Sequence, residues 1–146
     1  LGLITPHVVP ALLFLVGVII SFATGTSWGA MAILLPIGIN MAVGFVVSIP
    51  MTIGAVLSGC LFGDHCSPIS DTTVMSAMAA GCDLLEHTRT QLPYAGIAAL
   101  ASFVAYLILG FTNANIWIML VVALALLIVF YLLSCRLWGV KAAESK

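Results

Sequence analysis

Between Phe62 and Thr73 the chain reads FGDHCSPISDTT, and these 12 residues hold most of its candidate chemistry. Two carboxylates, Asp64 and Asp71, sit with a titratable His65 and four hydroxyls, Ser67, Ser70, Thr72 and Thr73. Carboxylate and hydroxyl oxygens are the ligands a hard cation such as Na⁺ prefers. A carboxylate can instead hold a proton on the same oxygens, and burial or a neighbouring like charge favours that form. Competition between Na⁺ and H⁺ for Asp64 and Asp71 is therefore the chemistry this segment could perform. His65 has a side chain suited to sensing pH, with a local hydrogen bond as its plainer use.

The backbone of the segment is as telling as its side chains. Pro68 has no N–H and its ring collides with the carbonyl four residues back, so a helix cannot run through it unbroken. Ser67 followed by Pro68 reads as an N-cap and a first helical residue. The expectation is one half-helix over Met51–Leu61, a break that opens around Gly63 and Pro68, and a second half-helix over Pro68–Ala80. Opposed half-helix ends with freed carbonyls are how transporters build ion sites at membrane depth.

Composition explains why such a segment stands out. No Asp, Glu, Lys or Arg occurs in the 63 residues before Asp64, and of all 146 residues 63% are hydrophobic and 6% charged. Mean hydropathy is +1.28. Soluble domains carry about 25% charged residues, so the solvent of this chain is lipid, and an ionisable group inside lipid is a functional-site hypothesis by default. No basic patch suggests nucleic acid. No Ser-His-Asp order, phosphate-binding glycine loop or H-E-x-x-H appears, so an enzyme is not expected and no cofactor is called for. Cys60, Cys66, Cys82 and Cys135 read as free buried thiols.

The elements that must position the site follow from the apolar runs. Val8–Phe22 is short for a full crossing, the polar tip Ala23–Ser27 follows, and a second run covers Trp28–Ile39. A helical hairpin over about 8–39 is preferred to a single discontinuous crossing, with Thr24, Thr26 and Ser27 at a tip that lines a cavity. Gly38-Ile39-Asn40 reads as a turn, and a broken helix follows over about 45–82. Asp83–Gln91 is a hydrophilic loop, and two ordinary spanning helices cover about 93–110 and 116–135, joined by a turn at Thr112–Asn115. Gly59-x-x-x-Gly63 and Gly25-x-x-x-Gly29 read as packing surfaces. The fold class is all-α integral membrane, a single transmembrane domain over 1–135 with a tail over 136–146. Arg136, Lys141 and Lys146 against Glu144 put that tail in the cytoplasm by the positive-inside rule. The broken helix and the hairpin then both enter from outside.

At these residues the sequence resembles the NhaC-type Na⁺/H⁺ antiporter family. FGDHCSPISDTT at Phe62–Thr73 looks like that family's hallmark segment, and SFATGTSWGAMAILLPI at Ser21–Ile37 resembles its second recognisable block. The resemblance implies a transporter of the inverted-repeat group in the plasma membrane, with this chain as its second repeat and the N-terminal repeat as the missing partner beside the lipid bilayer; a homodimer is compatible with it. It also implies that the tip Thr24, Gly25, Thr26 and Ser27 faces the broken helix. Relatives that exchange organic solutes make sodium- or proton-coupled organic acid or amino acid exchange the alternative. A non-transporting membrane subunit is the alternative from another class.

Overall fold

The computed structural model describes residues 6–112 and 116–143. All elements there are helical: a 3₁₀ turn at Pro6–Val8, then α1 (Val9–Thr24), α2 (Ser27–Phe45), α3 (Ile49–Cys66), α4 (Asp71–Ala80), α5 (Leu84–Thr112) and α6 (Ile116–Ala143). The all-α class holds. The expected turn residues Asn113–Asn115, the tail residues Glu144–Lys146 and the side chain of Cys135 lie outside what is described.

Helices α1 and α2 form a hairpin. Leu13 lies twelve residues before Gly25 and Gly38 thirteen after it, yet a methyl group added at Gly38 would sit 3.5 Å from Leu13 Cδ1. Only a chain folded back on itself at Gly25-Thr26 brings these two levels together. Its arms are longer than the apolar runs suggested. Pro6–Thr24 and Ser27–Phe45 have 19 residues each, and these and the 29-residue Leu84–Thr112 are long and apolar enough to cross a membrane. The first arm outlasts Phe22 because the Thr24 hydroxyl donates to the Ile20 carbonyl at 2.8 Å, which keeps the polar residue inside the last turn. The helix stops where Gly25 takes a left-handed φ of 67°, a conformation glycine adopts at no steric cost.

Several boundaries differ from expectation, α6 among them, which runs to Ala143 rather than ending at 135. Gly38-Ile39-Asn40 is not a turn: α2 continues to Phe45, and Gly38 is there because a Cβ would press within 3.3 Å of Val56 on α3. Asp83–Gln91 is not a loop. Asp83 Oδ1 accepts from the backbone N–H groups of Leu85 and Glu86 at 2.9 and 3.1 Å, which caps α5 and starts it at Leu84 rather than Pro93. The first half-helix of the broken pair runs to Cys66 rather than Leu61.

The core forms where α3 lies across the hairpin, with Val9 and Leu13 of α1, Ala30, Met31 and Leu34 of α2, and Val56 and Cys60 of α3 buried together. Helices α1 and α3 run parallel and extremely close. A Cβ on Gly59 would overlap the Phe14 carbonyl, one on Gly17 would meet Cys60, and one on Gly63 would overlap the Val18 carbonyl. Two stripes of small residues at four-residue spacing, Gly17/Ser21/Gly25 and Gly59/Gly63/Ser67, thus face each other, as small residues do when helices approach in lipid. The Gly25-x-x-x-Gly29 reading identified the wrong pair, since Gly29 is exposed and would meet only Thr26. Helix α5 runs antiparallel to α1: the His7 ring bonds the Gly110 carbonyl and stacks on Phe111, while Phe14 packs on Tyr106.

Candidate functional site

Because α1 and α3 are parallel and in step, their C-terminal ends finish at the same level, and α2 and α4 begin there. Four helix ends therefore meet around the hairpin tip and the break. Gly25 at the tip lies directly on the break, since a Cβ there would come within 3.0 Å of the Ile69 backbone carbonyl.

The break is displaced from where Ser67-Pro68 suggested. Without an N–H on Pro68, the Asp64 carbonyl is taken instead by the Ser67 N–H at 3.1 Å, so α3 tightens and ends at Cys66 with Asp64 inside its last turn. Ser67 does not cap the next helix. Its hydroxyl donates across to the Phe22 carbonyl on α1 at 2.8 Å, and Pro68 lies in the connecting turn. Ser70 is the cap of α4, accepting from the Thr72 N–H at 3.2 Å.

Ser70 is also what holds Asp64. Its hydroxyl donates to Asp64 Oδ1 at 2.7 Å and lies 2.8 Å from the Thr72 hydroxyl. Asp64 is 3% exposed, Ser67 and Ser70 are fully buried, Thr73 is 3% exposed and Ser27 is 5% exposed. The Thr73 hydroxyl donates to the His65 carbonyl at 3.3 Å, tying α4 back to the end of α3. Gly63 sits under this group, pressed against α1.

The remaining candidates point elsewhere. Asp71 is exposed, and its Oδ1 accepts from the Thr72 N–H at 2.8 Å in the first turn of α4. His65 is exposed and its ring Nδ1 lies 2.9 Å from the Leu61 carbonyl one turn back, the plainer of its two expected uses. Thr24, Thr26 and Thr72 are exposed, and Thr26 caps α2 by accepting from the Gly29 N–H at 3.5 Å. Asp64, Ser67, Ser70 and Thr73 thus form one buried cluster, with Ser27 buried at the adjoining tip, while Asp71, His65, Thr24 and Thr26 lie around its outside. Sequence reasoning passed over Ser21 and the Phe22 carbonyl; the signal was the four-residue spacing of Gly17, Ser21 and Gly25 in an otherwise apolar run.

The model of the Na⁺/H⁺ antiporter family matches residues 2–111. The chain belongs to that family. Among curated relatives, it is 36% identical over 113 residues to the arginine/ornithine antiporter ArcD of Halobacterium salinarum, covering 75% of this chain and 23% of that one. It is 37% identical over 93 residues to the malate-2H⁺/Na⁺-lactate antiporter of Bacillus subtilis, covering 64% and 20%. It is 32% identical over 118 residues to the Na⁺/H⁺ antiporter NhaC of Alkalihalophilus pseudofirmus, covering 79% and 25%. The chain spans about a quarter of the length of these antiporters. No solved structure matches it. The matched residues 2–111 contain both the hairpin and the broken helix, so the elements that meet at Asp64 lie inside the family's shared region.

Proposed function

We propose that this chain carries the ion site of a secondary antiporter in a multi-pass membrane protein, and that Asp64 is the group for which Na⁺ and H⁺ compete. The observation that carries the reading is the burial of Asp64 in the last turn of α3, where its resolved partner is the Ser70 hydroxyl. A hydroxyl supplies a hydrogen bond but no charge. A carboxylate held this way inside lipid is stable when protonated or when it binds a cation, and the negative end of α3 adds to its attraction for either. Ser67, Ser70, Thr73 and Ser27 supply oxygens around it. Exchange needs one ion to leave before the other enters, and a single carboxylate enforces that order.

Asp71 takes a different role. Exposed in the first turn of α4, it orients or relays to the site rather than holding the ion. Coupling to an organic solute is the second reading, favoured by the arginine/ornithine and malate/lactate antiporters among the relatives. In it the same carboxylate serves as coupling site while the solute binds against the remaining three-quarters of the protein.

The test uses inverted vesicles containing the full-length protein that carries these residues, energised with a pH gradient. Collapse of the gradient on adding Na⁺ or Li⁺, lost in Asp64→Asn and retained with a shifted pH profile in Asp71→Asn, is expected. Retained exchange in Asp64→Asn sinks the assignment. Collapse by an organic solute alone, with none by Na⁺, replaces the first reading by the second.

A further inference from the structure

Ser21 is fully buried, and its hydroxyl is the one buried side-chain oxygen or nitrogen among the described residues without a hydrogen-bond partner. That is not the habit of hydroxyls in this chain. A helical serine or threonine ordinarily donates to the carbonyl four residues back, and Thr24, Thr52, Ser58, Ser76, Thr88 and Thr90 all do so here. Ser21 has the Gly17 carbonyl available in the same way and does not use it.

Its position gives the orphan a use. Ser21 faces α3 at Gly63, where a Cβ would lie 3.0 Å from its own Cβ, and Gly63 is the residue before Asp64. The next residue of α1, Phe22, offers the carbonyl that accepts the Ser67 hydroxyl. An unpartnered, buried hydroxyl therefore belongs to a residue in the α1–α3 contact, opposite the residue that precedes the buried carboxylate. Hard cations take several oxygen ligands at once, and carbonyls and hydroxyls complete the set that a carboxylate begins.

We propose that Ser21 is a ligand of the transported alkali cation, its buried hydroxyl, which bonds no protein group, offering its lone pairs to the ion. The inference rests on the reading of Asp64 as the ion-holding group and adds a residue on the other helix. It makes the ion a bridge between α1 and α3 near the level of Gly63. Ser21 and Asp64 act on different quantities: Asp64 is required for exchange of any kind, whereas Ser21 sets how well Na⁺ competes.

The experiment compares wild type, Ser21→Ala, Ser21→Cys and Ser21→Thr in the full-length protein, measuring the Na⁺ concentration that half-maximally collapses a pH gradient in inverted vesicles. Ser21→Ala and Ser21→Cys are expected to raise that concentration about fivefold or more. Ser21→Thr, which keeps the oxygen, stays within about twofold of wild type. The cysteine variant preserves volume, so it decides the matter if alanine disturbs the helix contact. An unchanged Na⁺ requirement in both oxygen-free variants overturns the proposal, because an orphan hydroxyl with only a packing role can be removed without loss. A wild type that ignores Na⁺ altogether fails at the earlier step and overturns the ion reading with it, so the two failures are told apart.

Discussion

At the scale of single residues, the structure places in different environments two aspartates whose division of roles the sequence leaves open. They are seven positions apart, and in an unbroken helix they would share a face. The break at Ser67–Ser70 undoes that relation: Asp64 stays buried at the end of α3, and Asp71 opens α4 at the surface. The residue that joins the two environments is Ser70, whose hydroxyl both caps α4 and donates to Asp64. Removing it costs a hydrogen bond to a carboxylate, about 1.5–3 kcal/mol, and a cap of about 1 kcal/mol. Ser70→Ala is therefore expected to weaken Na⁺ competition by roughly tenfold or more and to lower the melting temperature of the purified protein. Ser70→Thr should recover most of both. A Ser70→Ala protein with wild-type Na⁺ dependence would show that the Asp64–Ser70 bond has no part in ion binding.

At the scale of elements, the sequence was legible wherever a local rule acted alone. Apolar length gave the helices, Gly25 with its flanking hydroxyls gave the hairpin tip, and Pro68 gave the existence of the break. What it hid were boundaries that depend on competition between partners. Ser67 looks like a cap, but the Phe22 carbonyl on α1 takes its hydroxyl, and the cap passes to Ser70. Gly38-Ile39-Asn40 looks like a turn until Val56 of α3 claims the space above Gly38. At Asp83 the signal is local: an acidic residue three before Glu86 is an N-cap signature, and it outweighs the polarity that reads as a loop. The small-residue stripes on α1 and α3 are one of the closest contacts between elements. Gly63→Ala is expected to push the helices apart, costing about 1–3 kcal/mol, and to break the Ser67–Phe22 bond one turn on. Thermal melting and proton exchange should fall together in that variant. An undisturbed melting temperature would mean that α1 and α3 are further apart at Gly63 than described.

At the scale of the whole molecule, helix directions and charge placement make one joint statement about the membrane. Helix α5 is antiparallel to α1 and α3, and the tip, the break and the start of α5 lie toward one end, with Val46 and His7 toward the other. By the positive-inside rule, Arg136 and Lys141 after the last apolar stretch predict a cytoplasmic end for α6. On that prediction the start of α5 is expected on the cytoplasmic side, with the end of α4 and the exposed Cys82, and Val46, 92% exposed at the end of α2, on the outside. In a background otherwise free of cysteine, a membrane-impermeant maleimide should label Cys82 in inverted vesicles and not in intact cells. Val46→Cys should show the opposite pattern, with Cys82 itself replaced by serine. Exchange of the two patterns would reverse the orientation but keep the architecture. Labelling of both positions from one side would break it, because the hairpin and the broken helix would no longer place the ends of α2 and α4 at opposite faces. The first pattern puts the Asp64 cluster toward the cytoplasmic end, so in the exchange proposed above a proton displaced there by Na⁺ would have the shorter path to the inside.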